Sequence, residues 1–403
     1  MKFCFLCLLL STVLFLEVPG ISFAADLSES NLAAVTDVQK YNRAIHIMAM
    51  LLVGFGFLMV FVKRYGKSAI TATFLLVSVA IPLYFLKDSF YILGGSETII
   101  DKLILAEFAA ASLLICAGAV LGRLKMHQYM LLGVLFVPFY ALNEWIVLKG
   151  GLGLVTKFVD TGGSIVIHAF GAIFGLCVAL SMTTQKEYET PIESDYTSDR
   201  YSLLGSMVLW VFWPSFCAAL VAPAEVPGTA VNVILALCGS TIATYFASVQ
   251  LRGKISAADI ANATLAGGVA IGSTCDQAIP GVAFLIGIIA GIISTVGFAL
   301  IQSKLTDKLK SVDTCGVLYL HGLPGLFGGV AALLVVSGIT MGTQLAGIVI
   351  TIAIASNTGL LSGKIISFFG RRATAYCDDE EFEAEAEPFT ETAAIVVVPL
   401  PPN

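Results

Sequence analysis

Two histidines lie in apolar stretches of this chain, and each follows an aspartate by eight residues. One stretch runs Asp160-Thr161-Gly162-Gly163-Ser164-Ile165-Val166-Ile167-His168 and continues to Phe174-Gly175. The other runs Asp313-Thr314-Cys315-Gly316-Val317-Leu318-Tyr319-Leu320-His321 and continues to Phe327-Gly328. Aligned on the histidines, the aspartate, the threonine, Gly163 with Gly316, Phe174 with Phe327 and Gly175 with Gly328 coincide. Two copies of one helix imply an internal duplication. A duplicated membrane fold with one polar residue per copy near mid-bilayer is how many transport paths are built.

The chemistry open to such a pair is hydrogen bonding. An ionisable group inside a bilayer is costly and therefore a functional candidate. Two neutral imidazoles can share one hydrogen bond, and each then still offers one ring nitrogen to a passing molecule. Ammonia, with one lone pair and three N–H groups, fits that offer. A metal site built from two histidines and a carboxylate is the sharper rival, but the spacing opposes it. Each aspartate stands more than two helical turns from its histidine, roughly 12 Å along the axis. Asp160 and Asp313 are instead placed to cap their helices by accepting backbone N–H bonds. Asp160 is also a candidate for attracting a cation. His46, in the first apolar stretch, reads as a packing residue.

The elements that must position these residues are membrane helices. Hydrophobic residues make up 57% of the chain and charged residues 12%, with a mean hydropathy of +0.91. That balance excludes a soluble globular domain, and the long apolar runs match bilayer thickness at the helical rise. Residues 1–24 read as a cleaved secretory leader, with Lys2, an apolar run from Cys4 to Leu16, and the small-residue site Ser22-Phe23-Ala24. Residues 371–403 carry an acidic cluster from Asp378 to Glu391 and read as a flexible cytoplasmic tail. The net charge of −6 owes much to this tail and gives no sign of nucleic-acid binding. The cysteines are scattered without a CxxC pair and read as packing residues.

The chain divides into eleven expected spans, at about 44–62, 69–87, 102–122, 127–148, 161–183, 202–222, 228–250, 257–275, 280–303, 316–338 and 341–363. Loops on one side would hold fifteen Lys and Arg residues. Those on the other side hold only Lys40, Arg43, Lys87, Lys102, Lys149 and Lys157. The expectation is therefore N-terminus outside and C-terminus inside. His168 falls on the fifth span and His321 on the tenth, so spans 1–5 and 6–10 form two halves. Five is odd, so the halves are inverted about an axis in the membrane plane. The eleventh span lies outside the repeat and should brace it. Residues 184–201 form the solvated connector between halves.

Several segments together resemble the ammonium transporter/Rhesus glycoprotein superfamily, from about residue 40 to 370. They are the two histidine segments, Asn262-Ala-Thr-Leu-Ala-Gly-Gly-Val, Leu209-Trp210-Val-Phe-Trp213-Pro214-Ser215-Phe216 and Asn143-Glu144-Trp145-Ile146. Details such as Asp313-Thr-Cys-Gly-Val and His321-Gly-Leu-Pro-Gly-Leu-Phe-Gly-Gly resemble the Rhesus branch. The resemblance implies a homotrimer in the cell membrane with one ammonium/ammonia pore per subunit and no enzymatic activity, metal or cofactor. It also implies a stacked pair of pore phenylalanines, carried by motif to Phe108 and Phe216; from the residues alone both would read as core. Cys217 stands where asparagine usually follows the second phenylalanine. Leu220 replaces the serine that helps the ammonium-transporter branch bind its cation. Low-affinity passage is therefore expected. Carbon dioxide conduction and ammonium sensing are the alternatives, the latter disfavoured by a tail too short for a signalling domain.

Overall fold

The computed structural model of the protein describes residues 29–95 and 98–383. The expected leader and residues 384–403 lie outside this range. The described residues contain helices and no strand. The long helical runs are α1 (29–61), α2 (Gly66–Ser89), α3 (Ile99–Ala119), α4 (Met126–Val147), α5 (Ser164–Met182), α6 (Tyr196–Cys217), α7 (Val226–Arg252), α8 (257–274), α9 (Pro280–Leu309), α10 (Leu318–Val335) and α11 (Met341–Ser367). Eight of them, all but α3, α6 and α8, stand out as long and apolar enough to cross a membrane. α8 is broken into the pieces Ala257–Ala263, Ala266–Ile271 and Gly272–Thr274.

The helix positions follow the expected spans, and the ends differ where polar sequence continues a helix past its apolar part. α1 begins fifteen residues before 44, because nothing in 29–43 breaks a helix. Its run reaches about 50 Å at the helical rise, longer than a hydrocarbon core of about 30 Å. α6 begins at Tyr196 rather than 202 because Asp195 caps it, accepting from Thr197 N and Ser198 N. The connector between the halves is thereby shortened and contains its own short helix, Gln185–Glu189.

The duplication is visible in the fine structure of α5 and α10. Both open with a π turn, Ser164–Ala169 and Leu318–Gly322, and each π turn carries the histidine. Ahead of each stands a glycine in left-handed conformation, Gly163 at φ 78° and Gly316 at φ 66°, where a side chain would be strained. Asp160 accepts from Ile165 N and Val166 N at 3.0 and 2.8 Å. Asp313 accepts from Val317 N and Leu318 N, both at 3.0 Å. Both aspartates are thus bound to the first, otherwise unpaired N–H groups of their helices. The segment between aspartate and helix is tied to the third helix of the other half: Gly162 N donates to Gly272 O, and Cys315 N to Gly118 O. The body of α5 packs on the π turn of α10 and the body of α10 on that of α5. α1 and α6 also run antiparallel, with contacts from Arg43 to Ala219, His46 to Ser215 and Gly54 to Leu209.

Small residues set the other close approaches. A Cβ on Gly287 would run into the Ala236 backbone, and one on Gly239 into the Phe284 carbonyl, so α7 and α9 touch backbone to backbone. α11 braces the repeat from outside, packing on α5 and α4.

Residues 371–383, assigned from composition to a flexible tail, are held against the helix ends. The buried Arg372 guanidinium donates to Leu124 O and Cys377 O and lies over the Tyr65 ring. Asp378 accepts from Lys67 N and Ser68 N at the start of α2. Tyr376 N donates to Gly122 O and Asp378 N to Arg64 O. Acidic composition is compatible with order here because the carboxylates from Asp378 to Glu381 each meet a cation or helix N–H groups.

Two predictions follow from these contacts. Asp160→Ala leaves the Ile165 and Val166 amides and the Ser273 hydroxyl without their acceptor, at a cost of about 1–3 kcal/mol per buried group. The thermal midpoint of the purified protein should fall clearly, and an unchanged midpoint would show that the cap is dispensable. Arg372→Ala should speed hydrogen exchange at the Tyr376 and Asp378 amides, with the α5 amides unchanged. Equal protection in variant and parent would mean that the arginine does not hold this segment.

Candidate functional site

The two π turns bring His168 and His321 together at the centre of the bundle. Their Nδ1 atoms are 3.2 Å apart, and the rings lie nearly parallel at 8° with centroids 5.3 Å apart. An N···N hydrogen bond requires one nitrogen to carry the proton and the other to be bare. The two imidazoles therefore share a single proton between their Nδ1 atoms. Both side chains are buried.

Each ring is backed by an aromatic side chain from the first helix of the opposite half. Trp213 on α6 stacks on His168, with centroids 5.5 Å apart, and Phe55 in the π turn of α1 stacks on His321 at 6.3 Å. Neither residue could be assigned this place from composition. The available signal was position: both lie on the helices that open the two halves. His168 Nε2 and Trp213 Nε1 are buried and have no hydrogen-bond partner in the protein. Each orphaned atom would gain from a small polar guest, because a buried polar group without its hydrogen bond costs about 1–3 kcal/mol.

Above His168, toward the N-terminal end of α1, Phe216 lies 6.0 Å from the imidazole and 4.7 Å from Phe108, centroid to centroid, the two phenylalanine rings tilted by 50°. Both rings are buried. The motif-based placement of Phe108 and Phe216 thus ends in one ring pair next to the histidines. Below His321 runs a narrow cavity of about 20 Å³, measured as the room open to the centre of a water-sized sphere. That is enough for about one such molecule. Phe55, Leu114, Ile115, Val317 and Leu320 make its wall almost wholly apolar. Phe61, Asn262 and Cys315 line both this cavity and a wider, more polar one of about 130 Å³, which also holds Asp199, Ser202 and Gln302. The arrangement is a file: ring pair, His168, His321, apolar neck, polar mouth.

The remaining expected residues take supporting places. Asp160 and Asp313 point at backbone N–H groups, and Ser273 Oγ donates to Asp160 at 2.6 Å. Among the described residues, no three His, Cys, Asp or Glu side chains converge on one point. Cys217 is buried at the end of α6 against Gly162. Leu220 lies in the turn after α6 and is 39% exposed. His46 sits behind the ring pair rather than in the file, with its Nδ1 2.8 Å from Ser215 Oγ.

Comparison with known proteins bears on this arrangement. The sequence pattern of the Ammonium Transporter Family matches residues 4–392. The chain is 37% identical to the Ammonium transporter Rh type A of Bos taurus over 369 residues, covering 86% of this chain and 85% of that protein. It is 32% identical to the Ammonium transporter Rh type C of Homo sapiens over 384 residues, covering 85% and 78%. Among solved structures, Nitrosomonas europaea Rh50 superposes with a TM-score of 0.86 at 54% identity, over 88% of this chain and 94% of that one. A sensor Amt protein shares the fold at 17% identity, with a TM-score of 0.72 over 85% and 94% of the two chains. An all-helical bundle, a histidine pair built by two matching half-structures and similarity over nearly the full length agree: the chain belongs to the ammonium transporter family, on its Rhesus branch.

Proposed function

We propose that the protein is a channel for ammonia, passing the neutral molecule down its gradient through the file from Phe108 and Phe216 past His168 and His321. The observation that carries this reading is the pair of orphaned atoms, His168 Nε2 and Trp213 Nε1, buried beyond a double aromatic barrier. They call for a guest that accepts one hydrogen bond or donates another, and the neck beyond His321 has room for a molecule about the size of one water. Ammonia does both. The names of the relatives, ammonium transporters of Rh types A and C, support the same substrate.

Charge decides which form passes. A bare ammonium ion in an apolar neck faces an idealised Born cost of order 20 kcal/mol. Two imidazoles that share one proton and a wall of Leu, Ile and Val cannot offset that. Ammonium therefore gives its proton to water outside the phenylalanine rings, ammonia crosses the neck, and it takes a proton back from water in the polar mouth lined by Asp199 and Gln302. The phenylalanine rings keep water and hydrated ions out of the neck and swing aside for a small neutral molecule. With Leu220 where a hydroxyl would help bind a cation, entry is of low affinity. The eleven helices cross the cell membrane with the N-terminus outside and the C-terminus inside, so the ring pair faces outward. The subunits assemble as trimers and carry out no covalent chemistry.

Stopped-flow pH recording on proteoliposomes tests this. An inward ammonium gradient should alkalinise the interior rapidly with the wild-type protein. A His168→Ala, His321→Ala double variant should fall to the rate of empty liposomes, provided that it purifies as the same oligomer. Wild-type rates equal to empty liposomes would sink the ammonia reading and favour sensing. A double variant that loses ammonia but keeps carbon dioxide entry would show that the gas needs no histidine pair. The same gradient on a solid-supported membrane should give no steady current, and a sustained inward current would mean that the proton travels with its ammonia.

A further inference from the structure

The ring of Phe216 can exclude water only if the last turn of α6 is held still, and that turn lacks one of its own struts. Pro214 lies inside α6 and has no N–H to give to the carbonyl four residues back. After it the helix ends, with Ala218 N bonded to Pro214 O and Ala219 N to Phe216 O. The turn carrying Trp213 and Phe216 is thus one hydrogen bond short where it must be rigid.

α1 supplies the missing restraint. α6 presents two faces by the helical repeat: Trp213 and Phe216 face the histidine and Phe108, while Phe212, Ser215 and Ala219 face α1. On α1, His46 and Arg43 lie one turn apart. The His46 ring stacks on Phe212, with centroids 4.9 Å apart at 23°, and its Nδ1 is 2.8 Å from Ser215 Oγ. The buried Arg43 Nε donates to Ala219 O at 3.4 Å. These contacts bracket Phe216 on both sides in sequence. The Ser215 hydroxyl either donates to a bare Nδ1 or accepts from Nδ1–H, so the bond persists in either tautomer.

We propose that His46 and Ser215 form a positioning pair for the phenylalanine barrier: the hydrogen bond from α1 fixes the rotation of the proline-weakened turn and so holds Phe216 over Phe108. His46 touches no permeant molecule; it acts through Ser215 and the backbone. The inference rests on the reading of Phe108 and Phe216 as a barrier to water, and the test separates the two.

Full-length protein in proteoliposomes is measured for osmotic water permeability by light scattering and, in parallel, for ammonia entry. His46→Ala and Ser215→Ala should raise water permeability about fivefold above wild type, the factor that a hydrogen bond of about 1 kcal/mol sets on the ring-open population. The double variant should be no leakier than either single one. His46→Asn, whose amide stands where Nδ1 was, and Ser215→Thr, which keeps the hydroxyl, should restore the wild-type value. Unchanged water permeability in the alanine variants overturns the proposal. So does an equal leak in all four single variants, since loose packing rather than the bond would then be the cause. Ser215→Ala removes a single oxygen and carries the test if His46→Ala does not fold. If the wild-type protein passes no ammonia, the channel reading falls, while the water measurements still report whether this pair holds the rings closed.

Discussion

The proton shared between His168 Nδ1 and His321 Nδ1 is the contact on which the rest of the structure depends. A 3.2 Å N···N bond is possible only if two helices from different halves meet at their first turns, with the rings held parallel. Each helix must therefore start at the centre of the bundle rather than at its surface, and a helix start buried in a membrane leaves N–H groups that no water can reach. Asp160 and Asp313 answer that need. The aspartates are the condition for the histidines, and this is why the two residue types recur at the same separation. Left-handed Gly163 and Gly316 turn the chain back so that the carboxylate can reach the amides that follow.

Much of this was legible in the sequence because the repeat itself is legible. The spacing of Asp160 to His168 and Asp313 to His321 gave both the capping role and the pairing. Apolar runs gave the helix order. The phenylalanine pair was legible only through family resemblance, since Phe108 and Phe216 have no local pattern that distinguishes them from other membrane phenylalanines. Trp213 and Phe55 escaped altogether: an aromatic residue backing a histidine is a tertiary fact, decided by how α6 and α1 cross the π turns. The π turns escaped too, because hydrophobic periodicity does not register one extra residue in a turn. For residues 371–383 the expectation of a flexible tail failed for a different reason, while 384–403 lie outside the described residues. Composition counts charges but not their partners, and Asp378 has the open end of α2 while Arg372 has Glu380 and Glu381.

A duplicated fold tends toward two equivalent ends, yet on the proposed function a path that takes charge at one side and a neutral molecule in the middle would gain from ends that differ. The repeat shows where the symmetry is broken. Gly118 and Gly272 receive the equivalent hydrogen bonds from Cys315 and Gly162, so α3 and α8 correspond. Phe108 stands ten residues before Gly118 and Asn262 ten residues before Gly272. At one end of the file the matching position is thus an aromatic ring tilted against another. At the other it is an amide shared between the apolar neck and the polar mouth.

That substitution has a physical reason. A ring on both sides would enclose the neck in two apolar barriers, and a neutral molecule leaving it would meet its first hydrogen-bonding partner only after crossing the second. On the proposed function, Asn262 would offer a departing molecule both a donor and an acceptor at the point where the neck widens, so its rehydration would begin before the wall ends. Continuous α3 keeps Phe108 fixed against Phe216, whereas α8 breaks after Ala263 and restarts at Ala266. The break follows directly on the residue that departs from the repeat. The histidine pair demands symmetry, the two ends of the path demand difference, and the chain meets both by keeping its caps and its π turns in duplicate while changing one side chain and one helix.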